Sequence, residues 1–126
     1  MSETLYAKLG KEKLDLLLTD FYDRIFSNDV LAPLFQNSER SVIQQKQLLF
    51  ISQFLGGPLD YTKTYGPPKM RQRHLPHKIT PKGKTEWLKC MNEAVMAQDW
   101  DDRMKEVFYG IFPPIAAHMV NSEDDN

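Results

Sequence analysis

Along residues 11 to 28, Leu14, Leu17, Leu18, Phe21, Tyr22 and Ile25 recur at intervals of three and four, one wide face of an amphipathic helix. Asn28-Asp29 breaks that pattern, and "VLAPLF", ending at Phe35, reads as a short turn of helix or a corner. Asn37-Ser38 offers an N-cap for a second helix over about 39 to 55. Its inward stripe would be Ile43, Gln47, Phe50 and Phe54, an apolar row interrupted by one glutamine. "GGPLDYTKTYGPP", at 56 to 68, is dense in glycine and proline and predicts loop, because proline removes backbone donors and glycine weakens a helix.

A short helix is expected near 69 to 74. Thr80 then caps another, with Pro81 at its first position, running to about Gln98. Trp87, Met91 and Ala94 share its face, alongside Leu88 and Val95. A last helix near 101 to 120 presents Met104, Val107, Phe108, Ile111, Ile115 and Met119, and Pro113-Pro114 should kink it. "NSEDDN" reads as a frayed acidic tail. No segment alternates with period two and no repeat occurs. The pattern therefore predicts an all-α chain, a single domain over 1 to 126, with a short N-terminal segment over 1 to 10 and an acidic tail over 122 to 126. A long irregular loop in so small a domain is expected to be functional.

Composition narrows the classes. With 126 residues, 41% of them apolar, the chain fits one domain with one core. Sixteen basic and 17 acidic residues leave a net charge of −1, without the basic excess of a nucleic-acid binder. Cys90 is the single cysteine, so neither an internal disulfide nor a cysteine-rich zinc framework is available. No apolar run approaches the ~20 residues needed to cross a bilayer. "MSETLYAKLGKEK" has no signal-peptide core. A cytoplasmic protein without membrane partners is expected.

The candidate chemistry lies in "KMRQRHLPHKI", where His74 and His77 stand three residues apart. Pro76 pushes Leu75 out of helical space, so the two imidazoles do not share a helix face. HExxH is absent, which further disfavours zinc. A single histidine at a helix C-terminus could instead hold a haem iron, with the opposite position left for a gas. No Cys-x-x-Cys-His occurs, so such a haem would be non-covalent. A surface histidine, or one satisfied in the core, is the plain alternative. Tyr22, Gln47 and Trp87 each put a donor on an otherwise apolar face of a different helix, where burial without a partner is costly. Together they suggest one shared polar ligand, although an indole in the core or a phenol reaching solvent would also fit.

"FYDRIF" (21 to 26), "QKQLLFISQFLGGP" (45 to 58), "MRQRHLP" (70 to 76), "EWLKCM" (86 to 91) and "AAHMVN" (116 to 121) occur in the order and near the spacing of the group II truncated haemoglobins, which the chain resembles over almost its whole length. The resemblance implies a two-over-two helical sandwich with an irregular segment before the proximal histidine, and haem b (non-covalent iron protoporphyrin IX) as cofactor. By position it implies His74 as the proximal iron ligand, after an Arg-x-Arg-His pattern. It also implies Tyr22, Gln47 and Trp87 as distal donors, Phe35 at the corner before the distal helix, and Ile43 at the distal gate. Lys46, Arg73 and Tyr61 match positions that meet the haem propionates, solvated charge being the alternative. Phe50 and Met70 fall among the haem contacts, and His77 near the haem edge. The chain departs from the family pattern at Gly66-Pro67-Pro68, where relatives often have Gly-His-Pro. It departs also at His77, where they usually have phenylalanine, and at Pro113-Pro114, where they tend to keep the last helix continuous.

The implied activity is reversible binding of oxygen, with nitric oxide, carbon monoxide or peroxide as further ligands. Nitric oxide dioxygenase or peroxidase-like turnover is the enzymatic alternative, and it would need an external reductase because no flavin or nicotinamide segment is present. A helical interaction domain without haem, its histidines on the surface, is the third reading.

Overall fold

The computed structural model describes residues 4 to 67, residue 69 and residues 79 to 123, and every regular element among them is helical. The short helix expected near 69 to 74, and with it Met70, Arg73, His74 and His77, lies outside the described residues.

Thr4 opens helix α1 (Leu5–Phe26), its hydroxyl accepting from the Ala7 N–H at 3.0 Å. The expected N-terminal segment is therefore already helical from Leu5. Gly10, at φ 81° and ψ 162°, bends the helix into a short N-terminal turn and a longer limb, a conformation that L side chains rarely adopt. Beyond the bend, the predicted stripe is the buried face: Leu14, Leu17, Leu18, Phe21 and Ile25 have no solvent exposure. Burying each contributes roughly 1.5–3 kcal/mol. Asn28 ends the run, because its side-chain Oδ1 accepts from the N–H groups of Val30 and Leu31 and offers the backbone a turn instead. A single 3-10 turn, Ala32–Phe35, follows.

Helix α2 (Arg40–Phe54) has Glu39 at its N-cap position with no side-chain cap. Asn37-Ser38 does not fill that role. The helix is seated by tertiary bonds instead: Gln44 donates to the Thr19 hydroxyl at 2.9 Å, and Arg40 donates to the Thr19 carbonyl at 2.9 Å. The buried face of α2 is Leu48, Ile51 and Ser52, with Leu55 just beyond, whereas the expected stripe of Ile43, Gln47, Phe50 and half-exposed Phe54 is only partly buried and borders a cavity. At Gly57 the chain passes under Tyr6: a Cβ there would lie 2.7 Å from the Tyr6 ring and 2.8 Å from the Ser52 carbonyl oxygen.

The stretch 56 to 68 is not loop throughout. Between its glycines and prolines lies helix α3 (Asp60–Tyr65). Gln53 makes this possible by accepting from the Thr62 N–H at 3.0 Å and donating to the Thr62 hydroxyl at 2.7 Å. One orphan donor of the first turn is thereby satisfied from a neighbouring helix. Gly66, at φ 82°, closes it.

Helix α4 (Pro81–Met96) begins as expected, with the Thr80 hydroxyl accepting from the Gly83 N–H at 3.0 Å. The expected kinked last helix is instead two helices, α5 (Asp102–Tyr109) and α6 (Phe112–Met119). Pro113 and Pro114 cannot continue the bonding ladder of α5, but in a first turn their missing N–H groups cost nothing. The acidic tail is also less free than expected. The N–H groups of Asn121 and Ser122 donate to the Ile79 carbonyl at 2.9 and 3.1 Å, and Asn121 Oδ1 accepts from the Ile79 N–H at 3.0 Å.

Helix α1 packs against α2 and also against α4, and α4 packs against α5 and α6, which gives the two-over-two sandwich. Met91, Ala94 and Val95 of α4 and Phe108 of α5 complete the core beneath α1.

Candidate distal cavity

Between the two layers lies a cavity of about 420 Å³, within the size range of small-molecule and cofactor sites. Eight of the twelve residues expected at the site line it. Tyr22 comes from α1, and Phe35 from the corner. Ile43, Lys46, Gln47 and Phe50 come from α2, Tyr61 from α3, and Trp87 from α4. The other four, Met70, Arg73, His74 and His77, lie outside the described residues.

Phe21 links two of the donors. Its ring lies edge-on to Tyr22 at 5.0 Å and to Trp87 at 5.1 Å, so one fully buried phenylalanine sets the placement of both. Phe112 braces the indole from α6 at 5.8 Å. Burial pushes the Tyr22 hydroxyl above the ordinary tyrosine range, so it stays protonated and able to donate. Among the described residues, neither Tyr22, Gln47 nor Trp87 makes a side-chain hydrogen bond, although Tyr22 is only 5% exposed. No sealed side-chain polar atom among the described residues lacks a partner, so these donors open onto the cavity. Three donors without partners on three helices, in an apolar chamber, suit a ligand that is mostly apolar and carries one small polar group.

Aromatic contacts build the other end. Phe50 meets Tyr61 edge-on at 5.5 Å, Tyr61 lies 5.2 Å from Tyr65, and the Lys46 ammonium sits 4.9 Å from the Tyr65 ring centre. This places a cation at the α2–α3 side of the cavity. Among the described residues no group of three or more His, Cys, Asp or Glu side chains could hold a bare metal ion. The described residues thus fit an organic group such as a porphyrin better than a naked metal.

The bacterial-like globin family matches residues 4–121. Group 2 truncated haemoglobin YjbI of Bacillus subtilis is 37% identical over 119 residues, covering 94% of this chain and 89% of its own. The chain belongs to the group II truncated haemoglobins. Solved structures agree. The group II truncated haemoglobin of Bacillus anthracis superposes with a TM-score of 0.93 at 31% identity, covering 100% of this chain and 97% of that one. A truncated oxygen-avid haemoglobin of Bacillus subtilis superposes at 0.89 with 37% identity, covering 94% and 100%. The truncated-globin fold expected from the motifs is therefore present, and family membership implies haem-based gas binding. No described helix of this truncated haemoglobin is long and apolar enough to cross a membrane.

The structure adds wall residues that periodicity missed. Phe112 and Ala116 line the cavity beside the expected Ile115 and Met119, continuing the face of buried Phe108 at helical spacing. The expected face carried Ile111 and left Phe112 out. The available signal was spacing, since Phe112 stands four positions after Phe108. Lys84 also lines the cavity, unheralded by any apolar stripe.

Proposed function

We propose that this truncated haemoglobin is a haem b protein that binds oxygen reversibly, with His74 as the proximal iron ligand. The observation that carries the reading is the set of three hydrogen-bond donors without partners, Tyr22, Gln47 and Trp87, opening onto one apolar cavity. The similarity to a truncated oxygen-avid haemoglobin of Bacillus subtilis supports it.

Bound haem would supply the iron that holds the gas and the electron density that makes held oxygen partly negative. Toward such a ligand the Tyr22 hydroxyl, kept protonated by burial, donates; so do the Trp87 indole N–H and the Gln47 amide. Ile43, Phe35 and Phe50 would exclude water and pack on such a cofactor, and Lys46, Tyr61 and Arg73 would serve its propionates. Met70 would join the haem contacts, with His77 near the haem edge. One donor to a charged acceptor contributes about 1.5–3 kcal/mol, so losing it speeds oxygen release by roughly ten- to a hundredfold.

The test joins visible spectra of the ferric, ferrous and oxygenated protein to stopped-flow oxygen release. Tyr22→Phe and Trp87→Phe should each accelerate release at least severalfold, and His74→Ala should lose the ordinary haem spectrum. Release within twofold of wild type for both distal variants would sink the donor account. The same donors would serve a nitric oxide dioxygenase or a peroxidase-like enzyme supplied by an external reductase, which is the second reading. Nitrate formed in many turnovers per haem, with a reductase system present, would favour that activity over simple carriage.

A further inference from the structure

Two cations line the cavity and no carboxylate among the described lining residues balances them. Lys46 reaches it from α2 and Lys84 from α4, so the positive charges come from different helical layers. Lys46 already has the Tyr65 ring beneath its ammonium. Among the described residues the Lys84 side chain has no hydrogen bond or ion pair, and its own helix offers no acidic partner one turn away. The residues three and four positions away are Thr80, Pro81, Trp87 and Leu88, none of them acidic. Glu86, two positions on, faces elsewhere and accepts from the Asn28 side-chain amide at 3.1 Å. Half-buried Lys84, one turn before Trp87, thus brings an uncompensated positive charge to an apolar wall.

We propose that Lys84 anchors an acidic substituent of the ligand that fills this cavity. The cavity then selects a flat apolar group bearing carboxylates, in preference to the same group without them. The inference rests on the haem reading, in which the carboxylates are the two propionates. It adds to the expected propionate partners, Lys46, Arg73 and Tyr61, one that the helical layer of Trp87 provides. The plain alternative is a lysine that lays its stem on apolar wall and keeps its head in water.

The two are separated by measuring haem loss from the full-length ferric protein to an excess of a haem-scavenging apoglobin. The probes are native haem and its dimethyl ester, in which both carboxylates are masked. Lys84→Met keeps the apolar stem and removes the charge; Lys84→Arg restores a cation. Lys84→Met should speed loss of native haem about three- to tenfold, a range set by a partly solvated ion pair. It should leave loss of the ester unchanged within a factor of about 1.5, and Lys84→Arg should return native-haem loss to within twofold of wild type. An equal effect of Lys84→Met on both porphyrins, or no effect on either, would overturn the anchor while leaving the haem reading standing. Failure of the wild-type protein to take up either porphyrin would overturn the haem reading, and the anchor with it. Comparing two porphyrins within one variant cancels any general loosening of the fold.

Discussion

Tyr22 shows how one residue's surroundings decide its chemistry. Its phenol is buried against Phe21 and Phe26, and desolvation holds the proton on. The pH consequence has a definite sign. Below about pH 10 the phenol is neutral in both the folded and the unfolded chain, and the stability tied to its burial is fully present. That stability is lost as pH rises from about 10 towards the higher folded value, because only the unfolded chain then releases the proton. Ultraviolet titration of the five tyrosines should therefore show one phenol ionising later than the rest, and Tyr22→Phe should abolish that late step. A wild-type titration complete by about pH 11 would contradict the buried, neutral donor. Gly57 is constrained just as locally, but by contact. Gly57→Ala must displace the Tyr6 ring or the Ser52 carbonyl and should cost about 1–3 kcal/mol in urea unfolding.

At the scale of elements, the long helices were readable because their apolar positions are periodic and their caps are local. Thr80-Pro81 both caps and starts α4, and the stripe from Leu14 to Ile25 is the buried face of α1. The elements that departed from the sequence reading depend on partners distant along the chain. Helix α3 holds its first turn through Gln53, nine residues away in α2, and no pattern within 56 to 68 records that bond. Gln53→Ala should loosen α3 and with it the Phe50–Tyr61–Tyr65 stack beside Lys46. Hydrogen exchange should then quicken at the Thr62 to Tyr65 amides by at least about tenfold, with α1 and α4 unaffected. Similarly, α2 lacks the cap that Asn37-Ser38 seemed to offer, because Thr19 and Asp23 of α1 seat its first turn through Arg40.

For the whole molecule, the cavity is a product of both layers. Tyr22, Gln47 and Trp87 occupy three helices, and Tyr61 and Phe112 close the chamber from two more. An apolar chamber lined by donors without partners is a weak point of the fold until a ligand fills it. If haem is that ligand, binding stabilises the folded chain by about 4 kcal/mol at a thousandfold excess over the dissociation constant. Adding haem to the apoprotein should therefore raise the melting temperature by roughly 10–15 °C. A melting temperature unmoved by haem, in a sample that folds cooperatively, would count against the cavity as its site.

Sequence alone determined the helical class, the inner faces of α1 and α4, and the presence of donors at Tyr22, Gln47 and Trp87 on otherwise apolar faces, because periodicity, caps and residue chemistry are local properties. Family order among short motifs implied the cofactor and a position for each candidate ligand. Tertiary structure decided what depends on contacts between distant segments. It folded Asp60–Tyr65 into a helix through Gln53, split the last helix at Gly110-Ile111, and buried Phe112 beside Phe108. It also brought Lys84 to the cavity wall, where no carboxylate lies among the described lining residues. The physical reason is the same in each case: a side chain's type is written at its own position, but its partners are set only when the layers pack.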